Sequence, residues 1–229
     1  NKLSLSQVKQ IVLTGVGASL FKDEIYGIPA RKVDEFKAIG LGGLALSKKE
    51  EGLIVSMGTG TAFVRAGKDG IRHIGGSGVG GGTVLGLCSK LCHARSFETV
   101  VDMAHRGDLK KVDLNISDIC SGDIATLSPE VTASNFGKMA DGATAEDLAR
   151  GVLNMVFQTI GMLAVFACRN HQIKDVILTG TLSTVPCASV LFKQVERLYH
   201  LNFIIPSYSI YATATGAALS YIYQNGKQK

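Results

Sequence analysis

Six of the eight residues from Gly75 to Gly82 are glycine. The run sits between a strand-like stretch, Ile71–Ile74, and an apolar helical stretch from Thr83 to about His93. Residues without side chains add nothing to a core, so such a run serves where backbone must come close to something else. Aimed at a helix N-terminus, whose first amides lack internal partners, it suits the phosphates of a nucleotide. It is not a Walker loop, because no Gly-Lys-Ser/Thr follows, and it does not match the dinucleotide fingerprint. A flexible linker is the competing reading. Its place between a strand and an apolar helix speaks against that.

Composition narrows the setting. Of 229 residues, 46% are hydrophobic and only 19% charged, which excludes a disordered chain. The net charge of +5, with no Trp and 7% aromatics, is too weak a footprint for nucleic acid. Five cysteines at irregular spacings point to reduced thiols and not to a disulfide framework. The longest apolar region, Val152–Cys168, is broken by Asn154, Gln158 and Thr159 and reads as too short and too polar for a bilayer span. No signal-peptide core follows Asn1. These features predict a soluble, cytoplasmic protein with no membrane partner. The missing initiator Met predicts a natural start upstream of Asn1.

Along the chain, Val8–Thr14 is β-rich and runs into the turn Gly15-Val16-Gly17-Ala18, and Val33–Leu46 reads as a helix. The charged break Lys48–Glu51 is the candidate boundary between residues 1–50 and 51–229. Leu53–Met57, Thr61–Ala66 and Ile71–Ile74 form an antiparallel meander, with the Asp69-Gly70 pair as a hairpin signal. Phe97–Gly107 reads as a short helix and 108–135 as short helices and loops. Thr144 caps a long helix reaching Asn170, with Leu148, Val152, Met155, Val156, Ile160, Leu163 and Phe166 on its apolar face. A strand at 176–178, a helix at 190–200, a strand at 203–205 and a helix at 214–223 complete the chain.

The order β-β-β-α-(helical insert, about 94–140)-β-α-β-α is the half-unit of the actin-like (ribonuclease H-like) two-lobe kinase fold. That is an α/β fold with a mixed sheet flanked by helices and ligands between the lobes. Residues 1–50 would then be the remainder of an incomplete first lobe. Its own meander, on the order of fifty residues, would precede Asn1.

Several segments could carry chemistry. Ser56–Thr61 contains Gly58-Thr59-Gly60, which is either a phosphate-binding hairpin or an ordinary turn. Asp34-Glu35 opens a helix, where acids commonly complement the helix dipole. A carboxylate there could also take a proton from an alcohol. Val176–Thr181 is a buried parallel strand ending in Gly180-Thr181, the kind of strand end beyond which α/β sheets gather ligands. Cys88-x₃-Cys92-His93 lacks a second ligand pair for zinc, so buried thiols are the better reading and no metal site is assigned.

Taken together these residues resemble type II pantothenate kinases. The most specific match is Ile74–Cys88 (IGGSGVGGGTVLGLC); supporting matches include Met57–Thr61, Asp102-Met103-Ala104, Ser134–Gly137, Glu146–Arg150 and Gly216-Ala217. The resemblance implies ATP- and Mg²⁺-dependent phosphorylation of pantothenate to 4′-phosphopantothenate, the first step toward coenzyme A, by a homodimer open to feedback from CoA or acyl-CoA. It implies Glu35 as the catalytic base. It places Gly58, Thr59, Gly60, Gly81, Gly82, Thr83, Val84, Leu85, Phe97, Gly180 and Thr181 on the nucleotide side. Arg72, His73, Gly75 and Gly76 fall on the acceptor side, His73 standing where the family has an arginine. The family's first phosphate loop, with its magnesium-associated aspartate, would lie before Asn1, and without it these residues are expected not to turn over ATP. Two other classes stay open: a kinase of another small hydroxylated substrate, and a nucleotide- or acyl-CoA-binding regulatory paralogue.

Overall fold

The computed structural model describes residues 4–120 and 128–226. Its centre is the apolar run after the charged break. β4 (Gly52–Met57) is buried along almost its whole length because both its faces are covered. Leu53, Val55 and Met57 enter one core and Ile54 the other. β5 (Thr61–Gly67) and β6 (Gly70–Ser77) continue antiparallel from it, with Met57 opposite Thr61 and Gly67 opposite Gly70. On the other flank β9 (Asp175–Thr179) is parallel to β4, and β10 (Asn202–Ile204) is parallel to β9. The strand order is β10-β9-β4-β5-β6. This is the mixed sheet that the sequence predicts, with the meander as its antiparallel half.

The glycine run behaves differently from the loop predicted for it. β6 continues through Gly75 and Gly76 to Ser77, and the next helix, α2 (Gly81–Leu91), begins at Gly81. Only Gly78–Gly80 is loop. Gly75 pairs with Phe63 and Gly76 with Ala62; a ladder needs backbone groups alone, so missing side chains do not end it.

One face of the sheet packs against α2, α3 (Phe97–Arg106), α5 (Ala145–His171) and α6 (Pro186–Tyr199). On the other face α1 (Glu35–Ser47) lays Ile39 against Ile54, Val64 and Ile177. α7 (Ala212–Gly226) packs along α1, and the two helices meet backbone to backbone. A Cβ on Gly42 would collide with the Ala212 carbonyl, and one on Gly216 with that of Ala38.

Before α1, β1 (Ile11–Leu13) pairs in parallel with β3 (Ile28–Lys32), and β2 (Glu24–Ile25) pairs with β3 in an antiparallel hairpin. Of these strands only β1 is predicted. The hairpin turn, Tyr26-Gly27, has φ of 54° and 74°, the primed geometry that suits twisted strands.

α5 is held at its start by a reciprocal cap. The Asp147 amide donates to Thr144 Oγ1 (3.3 Å) and the Thr144 amide to Asp147 Oδ2 (2.8 Å). The Asp147 carboxylate also accepts from the Asp108 amide (2.7 Å) and from Lys111 Nζ (3.3 Å). Burial alone would raise its pKa; the amides of Thr144 and Asp108, the Thr144 hydroxyl and Lys111 outweigh that and hold it at about 2.

The segment predicted as short helices and loops, 108–135, contains the short α4 (Ile116–Ile119) and also an unpredicted two-stranded ladder, β7 (Leu114–Asn115) with β8 (Thr132–Ser134). Part of that predicted stretch, 121–127, lies outside the described residues. Asp113, fully buried, ties the segment to α5 by accepting from the Phe136 amide (2.9 Å), Asn135 Nδ2 (3.2 Å) and Asn154 Nδ2 (2.6 Å).

Two expectations for α5 change. At 27 residues it is long and apolar enough to cross a membrane by length and composition, contrary to the reading of Val152–Cys168 as too short. Most of its apolar window is instead buried against the rest of the chain, as in a core helix. Leu163 and Phe166, predicted on the apolar face, are exposed at 37% and 57%.

Candidate functional site

Three backbone segments meet beyond the carboxyl ends of β4 and β9. The first is the turn Gly58-Thr59-Gly60. The second is the loop Gly78–Gly80 with the first turn of α2. The third is Gly180-Thr181, where a short turn of helix, Thr181–Thr184, follows β9. The first two are bonded together, Gly81 N donating to Gly58 O (2.8 Å) and Gly82 N to Thr59 O (2.9 Å). Such closeness needs a residue without Cβ at 80: a Cβ there would lie 2.6 Å from Thr59 O and 2.8 Å from Gly60 Cα. Gly180 has φ +86°, and a Cβ on it would stand 2.6 Å from Met57 O.

This bonding changes which groups can meet a ligand. The amides of Gly81 and Gly82, expected on the nucleotide side, are taken by the hairpin carbonyls. Thr83 Oγ1 closes the loop internally, accepting from Gly80 N (3.1 Å) and donating to Gly78 O (3.0 Å). The Val84 side chain is fully buried, so within the predicted nucleotide stretch it serves as packing, as does the partly buried Leu85. Among the described residues, the turn and loop hydrogen bonds do not engage the amides of Thr59, Gly60 and Gly78. Free amides in a glycine-rich turn next to a helix N-terminus are groups that can receive an anion.

From Thr181 the site opens into a cavity of about 670 Å³ between α3, α5 and α6. Phe97, the first residue of α3, lines it together with Thr181, Val185, Pro186, Leu153 and Ile210. Two residues predicted on the nucleotide side, 84 positions apart in the sequence, thus share one cavity whose volume falls in the ordinary range for small-molecule sites. Thr181 is exposed, while the neighbouring Ser183 hydroxyl is engaged by Ser209 (2.7 Å). Arg150, Thr184, Cys187 and Ile210 also line the cavity and are absent from the sequence-based set. They come from four separate elements, so no local pattern could group them.

The acceptor-side residues lie at the α1 face of β6. Asp34 caps α1 by accepting from Lys37 N (2.7 Å), which leaves Glu35, half-buried, as the first helical residue. The next residue, Phe36, stacks its ring on His73 with centroids 3.9 Å apart and 18° between planes. A register shift between Phe63 and Val64 places one extra residue, Ile74, on β6. The bulge brings His73 and Gly76 to the same face, and a Cβ on Gly76 would lie 3.7 Å from His73 Nε2. Arg72 is directed to the other face, opposite Arg65, whose guanidinium is bonded to Asp69 (3.3 Å). The structure thus separates Arg72 from His73 and brings His73 beside the residue that follows Glu35.

Cys88 and Cys92 are buried in the core, as expected, and burial with the neighbouring Cys92 pushes the Cys88 thiol up to about 12. Such thiols are chemically quiet.

A family profile described as Fumble matches residues 51–190. The chain belongs to the Fumble family. The match takes in the hairpin turn, the glycine loop, Phe97 and Gly180-Thr181, though not Glu35. Among full-length relatives, the chain is similar to a type II pantothenate kinase of Bacillus anthracis, 30% identical over 219 residues, which cover 91% of this chain and 74% of that one. A type II pantothenate kinase of Bacillus cereus strain G9842 is 29% identical over 218 residues, covering 91% and 75%. In three dimensions the Fumble chain is similar to the activator of 2-hydroxyisocaproyl-CoA dehydratase from Clostridium difficile, with a TM-score of 0.62, 17% identity and coverage of 99% of this chain and 77% of the other. It is also similar to component A of (R)-2-hydroxyglutaryl-CoA dehydratase from Acidaminococcus fermentans, with a TM-score of 0.55, 16% identity and coverage of 91% and 74%. At those identities the likeness concerns fold, and the fold is actin-like.

Proposed function

We propose that these residues, together with the first phosphate loop expected before Asn1, phosphorylate pantothenate with ATP, giving 4′-phosphopantothenate and ADP, the first step toward coenzyme A. The observation that carries this reading is the convergence of Thr59, Gly60, Gly78 and Thr181 beyond β4 and β9, with a cavity containing Phe97 on one side. Glu35 follows Asp34 on the α1 side. The cavity takes the nucleotide base, and the free amides of Thr59, Gly60 and Gly78 hold phosphate oxygens. These amides are fixed by the bonded hairpin before any ligand arrives, so little reorganisation accompanies charge build-up on the transferring group.

Glu35 accepts the proton as the acceptor hydroxyl oxygen bonds to the γ-phosphorus, and the bond to the β-phosphate oxygen breaks to release ADP. No group of three or more His, Cys, Asp or Glu side chains among the described residues is arranged to hold a metal ion. Mg²⁺ would therefore enter on the nucleotide, held by phosphate oxygens and water, where it neutralises phosphate charge. Family membership also leads us to propose a cytoplasmic homodimer that responds to CoA or its thioesters. Light scattering and inhibition by acetyl-CoA test those two properties.

The kinase reading is tested with the natural gene product, pantothenate and ATP by coupled ADP release. Glu35→Gln should lose about 10²–10⁴ in turnover while the thermal midpoint stays unchanged. Near-normal turnover in that variant refutes the base assignment.

A further inference from the structure

The strand pair β1 and β3 ends beside Glu35. Val33 N donates to Leu13 O (2.9 Å) where the pair closes, Thr14 follows Leu13, and Asp34 and Glu35 follow Val33. The chain turns at Gly15 (φ +93°), so Thr14 is the last side chain along the line of β1. Paired strands lie about 4.8 Å apart, a separation that a glutamate side chain covers. Helical side chains lean toward the N-terminus of their helix. For Glu35, the first residue of α1, that direction is back toward the strand ends and Thr14.

Two complementary groups at this junction are unbonded. Thr14 Oγ1 is buried and has no hydrogen-bond partner among the described residues. No side-chain hydrogen bond or ion pair among the described residues engages the half-buried Glu35 carboxylate. The one is a donor and the other an acceptor. Asp34, between them in the chain, is occupied by Lys37 N (2.7 Å) and as a carboxylate could not orient another. Buried hydroxyls in folded proteins are nearly always bonded, so one left unbonded beside the proposed base points to a partner that joins it during turnover. A general base acts when one of its oxygens is held toward the proton it takes, and a donor fixed on the other oxygen holds it there. We infer that Thr14 is a positioning residue for the base: with acceptor bound, its hydroxyl donates to one Glu35 oxygen and leaves the other facing the acceptor alcohol. This rests on the kinase reading and on Glu35 as its base.

The test uses the natural gene product with pantothenate and ATP. Thr14→Val replaces the hydroxyl by a methyl of the same shape, and since no bond is lost its thermal midpoint should equal or exceed that of wild type. Its kcat should fall about tenfold or more while KM for ATP stays within about twofold. Thr14→Ser, which keeps the donor, should recover most of kcat. In a Glu35→Gln background there is no base left to orient, so Thr14→Val should cost less than about twofold there. A merely structural role would lower the midpoint and give the same loss in both backgrounds. Wild-type kcat in Thr14→Val, a lowered midpoint, a Thr14→Ser variant as slow as Thr14→Val, or equal losses in the two backgrounds overturns the inference and leaves the kinase standing. If the wild-type protein does not phosphorylate pantothenate, the kinase reading falls and the inference falls with it.

Discussion

Gly80 and Gly86 lie six residues apart at and within the same helix, and their substitution by alanine should have opposite effects. At Gly80 the new methyl would sit 2.6 Å from Thr59 O and 2.8 Å from Gly60 Cα, both backbone atoms. Relief needs a shift of roughly half an ångström in the turn or the helix start. That shift works against the bonds from Gly81 N to Gly58 O and from Gly82 N to Thr59 O. Overpacking costs about 1–3 kcal/mol and each weakened hydrogen bond up to about 1 kcal/mol, so a loss of roughly 2–4 kcal/mol follows. In a chain of this size that lowers the thermal midpoint by roughly 5–15 °C. Because the displaced turn carries the free amides of Thr59 and Gly60, kcat/KM for ATP should also fall about tenfold, more than kcat/KM for the acceptor. At Gly86 nothing lies within 4 Å of a new Cβ, and φ is not positive. Alanine there should stabilise by about 0.5–1 kcal/mol through helix propensity. Differential scanning fluorimetry and initial rates decide the matter. Equal shifts for the two variants, or an unchanged ATP dependence in Gly80→Ala, would refute the reasoning.

Two further outcomes concern stability. Asp147 has its folded pKa depressed to about 2 from an ordinary 3.8, so its contribution is present above that ordinary value and disappears as pH falls from about 4 to about 2. The amount is about 2 kcal/mol. Urea midpoints of wild type and Asp147→Asn should therefore differ at neutral pH, draw together below pH ~4 and converge only near or below pH ~2; a constant gap would contradict the assignment. Removing the Asp113 carboxylate leaves the Phe136, Asn135 and Asn154 donors facing a void. Asp113→Ala should lose about 3 kcal/mol or more by urea unfolding, and a loss below about 1 kcal/mol would show the cluster is solvated.

The strand and helix order from β4 onward was legible because each element carries its own period and its own turn residues. Leu53–Met57 is a continuous apolar run and β4 is buried on both faces; Asp69-Gly70 predicts a hairpin and β5 and β6 form one. The hairpin of β2 and β3 was not legible, since its strands are two and five residues long and its turn is Tyr-Gly, not Asn-Gly or Asp-Gly. The glycine run showed where backbone converges. It did not show what it converges on, because hydrogen-bond partners across segments leave no mark in spacing. The resemblance puts Gly81 and Gly82 on the nucleotide side, and the structure adds that their amides bond the hairpin carbonyls. The bulge at Ile74 was equally invisible: one added residue in β6 decides that His73, and not Arg72, shares a face with Gly76.

The bonded hairpin also has a mechanical consequence. The Gly58–Gly60 turn cannot move independently of α2, since two amides of the helix hold its carbonyls. α2 is in turn fixed one helical turn further on, where Val84 and Cys88 are fully buried against the sheet and α5. A ligand held by Thr59 and Gly60 therefore pulls on the same core that carries α3 and its Phe97. α1, with Glu35, packs on the opposite face of the sheet and is joined to α7 through the Gly42–Gly216 contact. The proposed nucleotide side and the proposed base thus belong to two packed groups that share β4, β5 and β6 as their common wall. In the proposed mechanism an acceptor that reaches both groups has to span this wall near the end of β6, where His73, the bulge and the Gly78 amide follow one another within six residues.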